Sequence, residues 1–187
     1  MQLWLALIIF SIYFGCVKGA ISEANKPLAW MVGKWRSEFS GKVIWPTIPS
    51  MTYGEELVIE EGEQSFHDSS KQFLNFSAKA WSHSNKDSFH NEWGFLTVEG
   101  DVVTLMTAGG NGFTKYEIGK AENESVKLQL SDIGRISFSR DLPVEALHRT
   151  FIKHGPSHME QILQMRTATD PTNGVLQHSK VIYERIK

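Results

Sequence analysis

Pro27–Glu56, PLAWMVGKWRSEFSGKVIWPTIPSMTYGEE, orders glycine, tryptophan and proline in a way that helical propensity does not produce. Gly33-Lys34-Trp35 sets a flexible residue beside a large amphipathic one where a strand begins, which suits a barrel floor plugged by an indole. Trp45-Pro46-Thr47-Ile48-Pro49 cannot be helical. Each proline lacks an amide donor and pushes the residue before it towards extended geometry. Together these features describe the mouth of a small β-barrel, with a rigid aromatic loop over a cavity.

Outward from this stretch the chain reads as strand after strand. Leu74, Phe76, Ala78 and Ala80 alternate with Asn75, Ser77 and Lys79, the period of a strand with one buried face, so Asn75 points outside. Similar runs cover Met51–Glu60, Phe89–Val98, Val102–Ala108, Phe113–Glu122, Val126–Leu130, Arg135–Ser139, Glu145–Lys153, Met159–Thr167 and Ser179–Ile186. Turn signals stand between them at Glu61-Gly62-Glu63, Glu99-Gly100-Asp101, Gly109-Gly110-Asn111-Gly112 and His154-Gly155-Pro156. The expected fold is all-β, an antiparallel up-and-down barrel of about ten strands with short helical turns. At 187 residues it fills one domain.

Leu3–Phe14 is an apolar run too short to span a bilayer comfortably, and Val17 and Gly19 fit the −3 and −1 positions of a cleavage site. Met1–Gly19 therefore reads as a secretory signal peptide, with residues 20–187 as the exported domain. A weak membrane anchor is the competing reading, because the segment has no Lys or Arg before its apolar run. Cleavage removes Cys16, the one cysteine, so no disulfide supports the mature chain. It also removes Lys18, leaving 18 basic against 21 acidic residues and a net charge of −3. With no basic block, nucleic-acid binding has no electrostatic basis. The sequons Asn75-Phe76-Ser77 and Asn123-Glu124-Ser125 agree with export and offer sites for N-glycans.

Several apparent motifs dissolve in their context. Gly109-Gly110-Asn111-Gly112 precedes no helix that could aim amides at a phosphate, and reads as a hairpin turn. His154 and His158 have a zinc-ligand spacing for a helix, but Gly155 and Pro156 between them make a turn. The pairs Glu55-Glu56 and Glu60-Glu61 read as solvated strand surface. There is no Ser-centred elbow. Two histidines stand apart: His90, on an aromatic-rich strand, and His178, after the breaker Asp170-Pro171-Thr172-Asn173-Gly174 at the start of the last strand. On spacing alone a lone histidine is more often a surface or hydrogen-bonded residue than a metal ligand.

From about Pro27 to the C-terminus the chain resembles the nitrobindins, a haem-binding β-barrel family whose domain also ends a THAP-type zinc-finger protein in animals. The matching residues run in order: Pro27-Leu28-Ala29-Trp30, Gly33-Lys34-Trp35, Trp45-Pro46-Thr47-Ile48, Tyr53-Gly54-Glu55-Glu56, Phe73-Leu74-Asn75-Phe76-Ser77, His90 before Gly94-Phe95, Arg135-Ile136-Ser137-Phe138, and Met165 leading to His178. The resemblance implies haem b as cofactor, with His178 as the proximal iron ligand and Thr47 as a haem contact. It further implies that His90 is a pocket histidine near the haem and Met165 an apolar pocket residue. Arg140 stands where relatives commonly carry a basic residue, and a guanidinium there suits a haem propionate. Relatives continue the first motif as GxWxGxG, whereas here Ser37 and Phe39 take the later glycine positions, and Phe39 is expected to narrow the cavity or repack it. Ser179 follows His178 where Leu is usual.

The implied activity is that of a secreted protein whose ferric haem binds NO and isomerises peroxynitrite to nitrate. These small ligands are its expected partners, with no stable membrane association after cleavage and with a homodimer allowed. The alternatives are a lipocalin-like carrier of an apolar ligand, suggested by export and Gly33-x-Trp35, and a haem carrier without catalysis.

Overall fold

The computed structural model describes residues 20–64, 71–139, 144–169 and 174–186. The expected signal peptide, Met1–Gly19, and Arg140 lie outside the described residues. A 3₁₀ turn at Lys26–Met31 precedes ten strands: β1 (Gly33–Trp45), β2 (Ile48–Gln64), β3 (Gln72–Ser82), β4 (Ser88–Glu99), β5 (Val102–Gly109), β6 (Phe113–Glu122), β7 (Ser125–Arg135), β8 (Val144–His154), β9 (His158–Thr167) and β10 (Leu176–Ile186). Each pairs antiparallel with its sequence neighbours, and β10 closes on β1 to make a barrel with no open edge.

Alternation drives the closure. On β3, Leu74, Phe76, Ala78 and Ala80 are buried while Asn75 and Lys79 are exposed. One end of the barrel is stoppered by the 3₁₀ turn, whose Leu28 and Met31 are wholly buried against Trp35, Leu57 and Ile59. The Trp35 indole donates to the Met31 carbonyl at 2.7 Å. Arg185 lies over its ring, 4.1 Å from the centroid, and donates to the carbonyls of Trp30 and Val32. Burial of an aromatic of this size contributes about 3 kcal/mol, so Trp35 is a principal anchor of the closed end. Asn25 completes the seal by donating to Gln72 O and accepting from Val98 N–H.

Three local expectations change. Glu61-Gly62-Glu63 is not a turn; β2 runs through it to Gln64, with a register shift between Glu61 and Gln64. A Cβ on Gly62 would stand 2.2 Å from Phe73 O, so this glycine permits a close approach in a bulge. The separate strands Val126–Leu130 and Arg135–Ser139 are replaced by the single β7, which absorbs one extra residue at Ser131 and ends at Arg135. Ile136–Ser139 folds as a turn held to Gly112 O and Asn111 O. Phe39 neither narrows the cavity nor repacks it: the register of β1 jumps between Ser37 and Gly41, and Phe39 emerges 77% exposed beside His83. At this bulge the Ser40 hydroxyl donates to Ile182 O and accepts from Ile182 N–H, standing in for a missing ladder pair, while buried Ser37 bonds to it.

Gly94 is the tightest backbone approach, since a methyl there would lie 1.7 Å from Met106 O on the paired strand. Gly94→Ala is expected to cost about 3 kcal/mol in urea unfolding, because two ladder strands and not a flexible side chain must give way. A cost under about 1 kcal/mol would mean that β4 and β5 part easily.

Candidate functional site

The other end of the barrel encloses a cavity of ≈ 380 Å³. Its walls include Val43, Trp45, Phe89, Leu147, Leu163 and Met165, and its rim includes Thr47. Pro46 and Thr47 form a two-residue turn between Trp45 and Ile48, a tighter element than the loop expected from the two prolines. The turn hands Trp45, only 8% exposed, back into the wall.

His178 enters this cavity through a bulge. Gln177 pairs with Gln164 and Ser179 with Leu163, so His178 is the surplus residue on β10, and both it and Ser179 line the cavity. Its ring meets the edge of Trp45 at 81°, with centroids 5.5 Å apart. The Nδ1 atom is buried, and no described residue hydrogen-bonds to either ring nitrogen. Burial, helped by the charge of His90, pushes its pKa down to about 4, so the imidazole is neutral at physiological pH. A neutral ring whose nitrogens have no partner among the described residues has a lone pair free to donate. The chamber and this donor fit a haem: a flat apolar group has aliphatic and aromatic walls, and iron has one nitrogen to bind.

The structure brings Thr47, His90, Met165 and His178 to this one cavity. His90 is held by its Nε2, 2.8 Å from Glu92 Oε1. His154 and His158 instead face each other across the β8–β9 turn, bound respectively to Glu160 and Ser157. Among the described residues no three His, Cys, Asp or Glu side chains converge as a metal site.

Residues 24–185 match the family described as "THAP4-like, heme-binding beta-barrel domain". The chain belongs to that family. Over 171 residues it is 40% identical to uncharacterized protein C28H8.5 of Caenorhabditis elegans, covering 86% of this chain and 56% of that protein. Over 168 residues it is 31% identical to peroxynitrite isomerase THAP4 of Bos taurus, covering 89% of this chain and 27% of that protein. The chain thus spans just over half of the worm relative and about a quarter of the mammalian one. Its fold is that of the crystal structure of Rv2717c from M. tuberculosis, at a TM-score of 0.73 and 24% identity, over 89% of this chain and 99% of that one.

Beneath the apolar walls this haem-binding-family barrel carries a buried charged layer built on Glu92, Glu117 and Arg149. Arg149, 2% exposed, donates to Glu117 at 3.0 Å through two nitrogens and to Glu92 at 3.2 Å. Lys115 adds a 2.6 Å contact to Glu92. These cations hold the Glu92 carboxyl well below the usual carboxylate range despite its burial. Glu55 corrects the expectation for its pair: it is 4% exposed, lines the cavity and accepts from Tyr183 Oη at 2.8 Å, and burial raises its pKa. Glu56 alone of that pair is at the surface, bridged to Lys34 and Arg36. The missing signal was in the alternation: Leu147, Arg149 and Phe151 share one inward face, so Arg149 is inside by period whatever its charge.

Proposed function

We propose that the protein is a secreted haem b protein that binds NO and isomerises peroxynitrite to nitrate. The observation that carries this reading is the unpartnered neutral imidazole of His178 in an apolar cavity, within a domain of a haem-binding family some of whose members are named peroxynitrite isomerases. Bound haem supplies a ferric iron that takes NO and acts as the Lewis acid for peroxynitrite. The residues of the chain do the rest. His178 would offer its lone pair to the iron, with the β10 bulge setting its direction and Trp45 holding its ring. Met165, Leu163 and Trp45 would give the chamber apolar walls that limit water beside the iron. Thr47 at the rim would meet a propionate, and the family resemblance suggests the same role for Arg140, which lies outside the described residues. Export is supported by the Met1–Gly19 leader and by the solvent exposure of both sequon asparagines.

Purified mature protein is expected to show a Soret band, and its ferric form to hasten peroxynitrite decay with nitrate as the product. No haem uptake would refute the reading, and uptake with unchanged decay would leave a haem carrier. A carrier of other apolar ligands, suggested by export, Gly33-x-Trp35 and the cavity, would bind them unaffected by loss of His178.

The neutrality of His178 gives a pH prediction. An ordinary imidazole, with a pKa of about 6.5, is roughly 90% protonated at pH 5.5 and would weaken haem binding about tenfold there. With His178 held near 4, haem affinity should change less than about twofold between pH 7 and 5.5, read by Soret titration of the apoprotein. The sign for stability is the reverse of a salt-bridged histidine. The unfolded chain takes up a proton below pH 6.5 and the folded one does not until about 4, so the apoprotein loses stability as pH falls through that window.

A further inference from the structure

The geometry points to Asn75 as an N-glycosylation site whose glycan covers an aromatic patch on the outside of the barrel. The inference rests on the export reading above. Asn75 is exposed at the middle of β3, its side chain makes no hydrogen bond to a described residue, and Ser77 completes the sequon on the same outer face. Its direct partner on β4 is Phe95, and the partner of Ser77 is Trp93. These rings are 48% and 55% exposed, large areas for a face that alternation should make polar. The row continues from Phe95 to Met106 and from Met106 to Tyr116, which is 41% exposed, while Phe73 stands 5.9 Å from the Phe95 ring. A groove of ≈ 370 Å³ runs between Asn75 and these rings. A contiguous apolar surface of this kind marks a site that something covers.

The sequon decides what covers it. The pyranose face of N-acetylglucosamine carries axial C–H groups that stack on aromatic rings, and a glycan rooted at Asn75 starts beside Phe95 and within reach of Trp93. The transfer needs a polyprenyl-pyrophosphate-linked oligosaccharide, the donor of the export route. Asn75 Nδ2 forms a bond to C1 of the sugar, the C1–O bond to pyrophosphate breaks, the polyprenyl pyrophosphate leaves with the electron pair, and one amide proton is released. Asn123 differs. It lies in the two-residue β6–β7 turn with φ 51°, away from the Phe95 row, so a glycan there would cover none of these rings.

The full chain is to be exported from a eukaryotic host behind its own leader and, in parallel, behind an unrelated cleavable one. Peptide N-glycosidase in ¹⁸O water followed by peptide mass spectrometry then reads each asparagine. The Asn75 peptide is expected to carry the label, and Asn75→Gln and Ser77→Ala each to lose it. Removing the glycan from folded wild-type protein should raise the fluorescence of a hydrophobic dye several-fold and start self-association, with the thermal midpoint reporting that the barrel is intact. Removal from Asn123→Gln should do the same, since Asn75 still carries the cover. An unmodified Asn75 in protein exported by the unrelated leader overturns the proposal. So does deglycosylation that leaves dye binding and sedimentation unchanged, or a glycosylated wild type that already pairs through this face. If the native leader fails to export while the unrelated one yields glycosylated Asn75, the export reading fails and the site stands.

Discussion

Arg149→Leu is expected to destabilise the barrel by about 3–5 kcal/mol, the cost of breaking a buried ion pair from one side. The guanidinium is the shared partner of Glu117 and Glu92, and all three side chains are at most 2% exposed. Without it Glu92 keeps Lys115 and His90, whereas Glu117 keeps no charged partner among the described residues. Glu117→Gln added to Arg149→Leu should therefore recover a large part of the loss, since the stranded charge and not the lost attraction is the main cost. Urea unfolding midpoints check both. A loss under about 1 kcal/mol for the single variant would show that water reaches the layer.

The same variant should reshape the acid limb of stability. Glu92 is depressed in the fold, so the stability it contributes is present above its unfolded pKa and lost as pH falls through the folded one. Glu55, raised by burial, acts with the opposite sign: its contribution is full below the unfolded pKa and fades as pH rises. The wild type should therefore weaken below about pH 4.5, and Arg149→Leu should flatten that decline because the cation holding Glu92 down is gone.

His178→Ala is expected to weaken haem binding by more than about 100-fold, beyond what loss of an outer-shell partner costs a metal site. His90 is no substitute, because its Nε2 is engaged by Glu92. Free imidazole should enter the vacated space beside Trp45 and restore the Soret band, a rescue that a merely misfolded variant would not give. His90→Ala should keep the band. If His178→Ala binds haem with the wild-type spectrum and His90→Ala does not, the ligand assignment reverses.

How much of this could be read from residues depended on whether the relevant physics is local. The alternation of Leu74 to Ala80 is local, and β3 formed where it indicated. Bulges are not local. Whether Gly62 makes a turn or a kink within a strand depends on how many residues the partner strand sets opposite it, and the same count on β9 makes His178 surplus on β10. Phe39 was misplaced for this reason, since the jump after Ser37 turns it outward. In the charged layer residue type and strand period disagree: Glu55 was given to solvent by residue type, although period sets it inside with Glu92, Glu117 and Arg149. His178 itself was singled out by resemblance to a family, because no spacing rule separates an axial histidine from an ordinary one.

The seal made by Trp35, Arg185 and the 3₁₀ turn has a kinetic consequence. With that end stoppered, a haem bound as proposed and its small ligands would share the doorway framed by Thr47 and Trp45. If haem binds at His178 as proposed, substitutions at the rim should slow haem entry and small-ligand exchange together, while those at Glu92 and Arg149 should leave both rates alone.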